Sequence, residues 1–395
     1  MPHSAVSHSG VPKPGRRCPA RKHRDVVDCV VIGGGVVGAA AAWQLARRGQ
    51  DVVLVEQFDA GHTRGASHGS SRIYRQTYAS TPYVELAGEA LRLWRELETE
   101  TGASVLQMTG GIDHGDQELV AELALSLARH GIDHRWLGSD EAMARWPGMV
   151  FDGPVLYQSD RSGRINADQA VAALTAAAVG RGADVRHRTR VSAVTVCGPD
   201  LVEVETSAGS VRARRAVVAV GAWTEALVGG LVELPPLRVT QEQPAHFPVL
   251  GAGPCTPLRH VGWPTFIHHA GPEQGWPSGV YGLATEEGCV KVGFHGVGPL
   301  CHPDRRSFEP QPAQLRRLQD YVATFLPGLD HQRPEPISCT YTSTPDANFV
   351  LRSQGPVAVG AGFSGHGFKF APALGRVLAD LSAGVIDEQP LVPTG

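Results

Sequence analysis

The stretch Asp28–Glu56 reads DCVVIGGGVVGAAAAWQLARRGQDVVLVE, and its reading decides the fold. An apolar run, Val30–Ile32, meets the turn Gly33-Gly34-Gly35 and passes into an Ala-rich helical segment. A second apolar run, Val52–Val55, ends at the acid Glu56. Strand, glycine turn, helix, strand and terminal acid make the opening of a doubly wound α/β sheet. Gly33, Gly35 and Gly38 stand at G-x-G-x-x-G spacing, and each has a physical task. Gly33 permits the tight turn, Gly35 lets backbone approach a pyrophosphate, and Gly38 lets the helix lie close to the strand. Free N–H groups and the dipole at the helix start hold the phosphates. Glu56 stands where a carboxylate takes the hydroxyls of an adenosine ribose. A glycine fingerprint alone also suits a methyltransferase-type or an empty doubly wound core, so the rest of the chain has to decide.

The 395 residues suggest two domains, interleaved in the chain, and an apolar content of 42% is ample for a large core. A net charge of −3 gives no global basic field, so nucleic acid is not an expected partner. The seven cysteines are Cys18, Cys29, Cys197, Cys255, Cys289, Cys301 and Cys339. An odd number without a C-x-x-C pair argues against a disulfide framework and against a zinc site, and fits a reducing cytoplasm. No apolar run approaches transmembrane length, so no membrane association is expected. Residues 1–25 are rich in Pro, Ser, His and Arg and read as a disordered basic tail. Arg16-Arg17 resembles a twin-arginine signal, but Cys18-Pro19-Ala20-Arg21-Lys22-His23 follows where an apolar segment would have to stand.

Beyond Glu56, a polar loop, Gln57–Ser71, leads to Arg72-Ile73-Tyr74-Arg75-Gln76-Thr77-Tyr78. Pro82 opens a helix to about Thr101, with Leu86, Ala90, Leu93 and Leu97 at helical spacing. Further helices are predicted near Gln117–Arg129, Asp140–Trp146, Ala167–Val179, Pro312–Phe325 and Pro372–Ala383. Arg190–Val196, Val202–Thr206 and Val211–Arg212 read as a meander, followed by a separate buried strand, Ala216–Val220, ending at Gly221. From Leu227 to about Leu329, short strands alternate with Pro/Gly-rich turns such as His268–Gly279, the pattern of a mainly β second domain.

Three stretches exceed what nucleotide binding needs. They are His68-Gly69-Ser70-Ser71-Arg72-Ile73-Tyr74-Arg75; Gly288-Cys289-Val290-Lys291-Val292-Gly293-Phe294-His295; and Cys339-Thr340-Tyr341 with Thr344-Pro345-Asp346 and Gly362-Phe363-Ser364-Gly365-His366-Gly367-Phe368-Lys369-Phe370. At these residues the chain resembles the monomeric sarcosine oxidase and N-methyltryptophan oxidase family of flavin amine oxidases, from Asp28 to about Leu381. The resemblance implies a discontinuous FAD-binding Rossmann-like domain of the glutathione-reductase type, with a second α+β substrate domain on a mixed or antiparallel sheet. The expected FAD domain is 26–82, 155–225 and 335–390, and the expected substrate domain is 83–154 and 226–334.

The resemblance also assigns roles. FAD is attached covalently, as an 8α-S-cysteinyl flavin, through Cys339. Arg75 and Lys369 clamp the substrate carboxylate, a fork and a point charge respectively. Arg72 lies against the flavin with Ser71 beside it, where the family often has Thr. Lys291 activates dioxygen from the other flavin face. His295, Tyr341 and Gly365 line the substrate cavity, and Ile267 stands near a pocket position held by methionine in sarcosine enzymes. Gly221, Gly365 and Gly367 bring backbone close to the cofactor. The implied reaction oxidises a secondary amino acid through an imine and passes electrons to dioxygen, giving hydrogen peroxide. Sarcosine, a larger N-methyl amino acid and a cyclic imino acid are the substrate options, with Trp263 or Trp276 as a cavity cap. The implied partners are an amino-acid substrate and dioxygen, and the implied state is a monomer.

The residues admit plainer readings. Cys339 suits an inert buried thiol, Lys291 a strand-edge lysine reaching solvent and His295 a core histidine. His268-His269 invites a metal reading, but adjacent strand residues point to opposite faces and no further ligand spacing completes a site, so no metal is expected. Gly362–His366 nearly spells a hydrolase elbow but lacks its last glycine. A dehydrogenase using another electron carrier and a non-catalytic flavin-binding redox sensor are the alternative functions.

Overall fold

The structure is a computed structural model that describes residues 26–251, 262–285, 288–389 and 391. The predicted basic tail, residues 1–25, lies outside the described residues. Strand Val26–Ile32 is the middle of the first sheet and pairs in parallel with Val52–Val55 on one side and Gly209–Val218 on the other. Val30 stands between Val53 and Ala216, all three buried, as strands covered on both faces require. Asp184–Arg186 extends the sheet beyond Val52–Val55, and Val357–Ala361 runs parallel to Gly209–Val218. Val191–Gly198 and Leu201–Thr206 complete the antiparallel meander. Its third strand and the expected separate strand 216–220 are one continuous strand, Gly209–Val218, because no turn residue interrupts Arg212–Arg215.

Helices Val36–Arg47, Ala167–Gly180 and Ala371–Ser382 share one apolar cluster with this sheet. The Ala-rich sequence lets them pack closely: a side chain at Gly375 would lie 2.5 Å from the Ala40 backbone carbon. Asn166 caps the middle helix by accepting from the Gln169 N–H at 3.0 Å. Helix Thr81–Thr101, expected in the substrate domain, buries Leu86, Ala90, Leu93 and Leu97 in this same cluster. Its apolar stripe was legible, but not the layer it would cover.

The second sheet is mixed. Thr265–His269 runs parallel to Gly111–Gly115, and its other pairings are antiparallel. Helix Pro312–Phe325 covers one face, packing Leu318, Tyr321 and Val322 with Phe247, Phe266 and Val292. Val155–Gln158, expected in the FAD domain, pairs with Gly111–Gly115 and Arg135–Leu137 and so belongs here. Strand Cys339–Ser343 pairs with Arg238–Glu242 in a ribbon of its own. Among the described cysteines, Cys29, Cys289, Cys301 and Cys339 are free and Cys197 is disulfide-bonded. Among the described residues, no helix is long and apolar enough to cross a membrane.

Candidate active site

A cavity of about 890 Å³ is lined by residues from the glycine turn, the first sheet, the second sheet and the Cys339 ribbon. It gathers Gly33, Gly35, Glu56, Ser71, Arg72, Arg75, Gly221, Ile267, Lys291, His295, Cys339, Tyr341, Gly365, Gly367 and Lys369. Of the expected site residues, Gly38 alone stands behind this lining, where a side chain would sit 1.8 Å from the Gly33 carbonyl oxygen. The closeness of helix and turn therefore requires glycine there. Gly33 has φ +101°, and a Cβ on it would lie 2.5 Å from the Ala219 carbonyl oxygen. Glu56 ends its strand buried, accepting from the Gly34 N–H at 2.7 Å and the Phe58 N–H at 2.9 Å. The acid is thereby fixed at the turn.

Arg72 folds back on its own loop. Its guanidinium donates to the carbonyls of Ser71 at 2.9 Å, Ala66 at 3.1 Å and His68 at 2.5 Å. These bonds hold the loop against the cavity. On this loop, Ser71 Oγ, which lines the cavity, and His68 Nε2 are buried without a hydrogen-bond partner. Burial, and after it the charge of Arg72, push the His68 imidazole down to about 3, so it is neutral.

Lys291 lies on Cys289–Phe294, an interior strand between Ala245–Pro248 and Val280–Ala284. It is buried, so the strand-edge reading fails. Burial first, and the charge of Arg72 second, lower its ammonium to about 7, while Cys339 opposes the shift. Cys339 is a free, buried thiol at the start of its strand. Tyr341 is two residues on, hence on the same face, with its ring 5.2 Å from that of His295. Gly365, at φ +77°, leaves room for the Tyr341 ring, which a Cβ would meet at 2.2 Å. His295 lines the cavity and is not a core residue; burial and the charges of Lys369 and Arg75 take it down to about 4.

Arg75 and Lys369 meet at Tyr78. Lys369 Nζ donates to Tyr78 Oη at 2.8 Å and to the His366 carbonyl at 2.8 Å. Arg75 Cζ lies 4.9 Å from the centre of the Tyr78 ring, and Nη1 donates to the Thr77 carbonyl at 2.7 Å. Burial and the Arg75 charge hold the Lys369 ammonium well below its ordinary value. Arg75 has a carboxylate partner in Asp113, whereas Lys369 is bonded only to neutral oxygens. Among the described residues, it is Lys369 that lacks an anionic partner.

Sequence reading missed Tyr78, Asp113 and His269. Tyr78 follows Arg75 by three residues and was visible as a polar aromatic; Asp113 and His269 carry no local signal. Trp263 and Trp276, expected as caps, are placed elsewhere. Trp263 donates to the Pro147 carbonyl at 3.1 Å, and Trp276 packs edge-on against Tyr321.

The residues present fit FAD. The glycine turn leaves no Cβ in the path of a pyrophosphate, and the orphaned Ser71 Oγ beside Arg72 in the cavity is a polar group that a flavin ring edge would satisfy. Comparison with known proteins agrees. The family model described as FAD dependent oxidoreductase matches residues 28–381. Monomeric sarcosine oxidase of Bacillus sp. strain B-0618 is 32% identical over 369 residues, covering 90% of this chain and 92% of that protein. N-methyl-L-tryptophan oxidase of Citrobacter koseri is 30% identical over 378 residues, covering 93% and 97%. The solved structure of NikD, an unusual amino acid oxidase essential for nikkomycin biosynthesis, superposes with TM-score 0.79 at 25% identity, covering 93% of this chain and 98% of that one. This chain therefore belongs to the FAD dependent oxidoreductases, on the branch of the monomeric sarcosine and N-methyltryptophan oxidases.

Proposed function

We propose that the protein is an FAD-dependent oxidase of a secondary, N-methyl amino acid of the sarcosine or N-methyltryptophan kind. The observation that carries the reading is the convergence on Tyr78 of half-buried Arg75 and buried Lys369, both lining the cavity that also holds Lys291 and Cys339. When bound, FAD accepts two electrons from the substrate C–N unit and returns them to dioxygen, giving an imine that hydrolyses and hydrogen peroxide.

The chain's own groups divide the remaining work. Arg75 offers a fork of donors and Lys369 a point charge to one carboxylate, which fixes the substrate in orientation. The same cations disfavour a protonated amine, so the substrate binds with its nitrogen lone pair free. Neutral His295 and the Tyr341 ring leave the nitrogen side of the cavity without a competing charge. Lys291, when protonated, is a fixed cation for charge developing on reduced oxygen. Cys339 is the residue we assign to a thioether with the flavin 8α-methyl carbon. A monomeric enzyme completes the proposal, supported by the printed name of the Bacillus relative.

The test is anaerobic mixing of the purified holoenzyme with sarcosine, N-methyltryptophan and a cyclic imino acid, each followed by loss of flavin absorbance. Bleaching by an N-methyl amino acid, with peroxide on admission of air, is the expected result. Failure of every amino acid to bleach the flavin would sink the reading and leave a flavin-binding module.

A further inference from the structure

We infer that His114, Asp152 and His268 form a second site, separate from the cleft, that binds one divalent transition-metal ion of the zinc type. Each offers one ligand atom, and the three atoms lie within 4.8 Å of one another. The parallel register sets His268 directly beside His114 on neighbouring strands, with ring centroids 4.2 Å apart. Alternation then sends Asp113 and His269 to the opposite face, where they bond each other at 2.8 Å and hold Arg75. The histidine pair thus belongs to the helix-covered side of the sheet, beside Tyr321 and Phe325.

Three features mark it as a ligand site. His114 is buried, yet its Nδ1 has no hydrogen-bond partner. His268 Nδ1 is bonded to Tyr321 Oη at 3.0 Å, which fixes the ring and, with Nδ1 protonated, leaves Nε2 as a lone-pair donor. Asp152 supplies the negative charge from an exposed loop that is nonetheless pinned. Val150 N–H donates to the Phe325 carbonyl at 2.8 Å, and the Gly148 carbonyl accepts from Gly328 N–H at 3.0 Å. Two imidazoles and a carboxylate suit Zn²⁺ or Co²⁺ and not the oxygen-ligated Ca²⁺ or Mg²⁺.

The experiment uses chelator-treated, dialysed holoenzyme titrated calorimetrically with ZnCl₂, with thermal unfolding followed in parallel. The wild type is expected to bind one equivalent that Asp152→Ala loses or holds at least about 10-fold more weakly. Saturating Zn²⁺ is expected to raise the wild-type midpoint by roughly 2–5 °C and to leave Asp152→Ala unmoved. Asp152 is exposed, so its replacement tests the site without emptying the core; His268→Gln is the companion variant. An equivalent of zinc kept by Asp152→Ala at wild-type affinity, or no zinc taken up by the wild type, would overturn the inference.

Discussion

Asp113 accepts a hydrogen bond from Arg75 Nη1 at 3.2 Å, so a carboxylate buried in the second sheet aims an arginine that belongs to the first layer. The same oxygen accepts from His269 Nε2 at 2.8 Å, which ties the pair to the strand carrying Ile267. Arg75 thus presents its remaining donors from a fixed position. Asp113→Asn keeps the shape and removes the charge. We expect kcat/KM for a carboxylate substrate to fall roughly 10–100-fold, mainly through KM, because the guanidinium loses its anchor. A steady-state comparison showing an unchanged KM would deny Asp113 that role.

Lys291 makes stability depend on pH in an unusual direction. Its ammonium drops from 10.5 to about 7 on folding, so the unfolded chain binds more protons between those values. Stability of the flavin-free protein therefore rises as pH increases from about 7 to 10.5, where the unfolded lysine also becomes neutral. Below pH 7 the full penalty is present. Lys291→Met should stabilise the flavin-free protein there by about 3–5 kcal/mol, shrinking towards alkaline pH, while slowing reoxidation of the reduced holoenzyme by about 10²-fold or more. Urea titrations over that pH range and stopped-flow mixing with oxygenated buffer measure the two effects.

On the proposed thioether, Cys339 decides whether flavin stays with the chain. Acid-precipitated wild-type protein should remain yellow, and Cys339→Ser should release all its flavin to the supernatant while keeping its fold. The substitution removes one sulfur at a buried strand position, and the unfolding midpoint should move by only a few degrees. A colourless wild-type pellet would remove the thioether from the mechanism.

Gly365→Ala tests the shape of the cavity. The residue has φ +77°, and the added methyl would approach the Tyr341 ring at 2.2 Å. Backbone strain of about 1–3 kcal/mol is expected, and the ring must turn into the space the substrate uses. KM should rise at least about 10-fold, more for N-methyltryptophan than for sarcosine. Equal effects on both substrates would place Tyr341 away from the side chain of the larger one.

Much of the first sheet was legible because its signals are local. The turn at Gly33–Gly35 and the acid at Glu56 each announce an element from a few neighbouring residues. Helix Gln117–Arg129 falls at its expected residues for the same reason, since Asp116 caps it and Arg129 closes it. Assignment of elements to layers was not legible. Helix Thr81–Thr101 and strand Val155–Gln158 change sides relative to expectation, because an apolar stripe shows that a face is buried but not against what. The cavity residues converge as the motifs suggested, yet Asp113 enters only through pairing with a strand about 150 residues later. His268 shows the same limit: its neighbour in sequence points away, and its neighbour in space is His114.

The parallel pairing of Gly111–Gly115 with Thr265–His269 has a consequence for how this chain can vary in length. One residue inserted in either strand would shift that strand's pleat, turning its histidine of the pair, His114 or His268, towards the cleft and its other polar group, Asp113 or His269, away from it. Both surfaces would lose a polar group together. An insertion in the adjoining turn, residues 270–279, which already holds Gly275 at φ +81°, leaves both strands in register. That turn is where relatives can lengthen the molecule without disturbing either face.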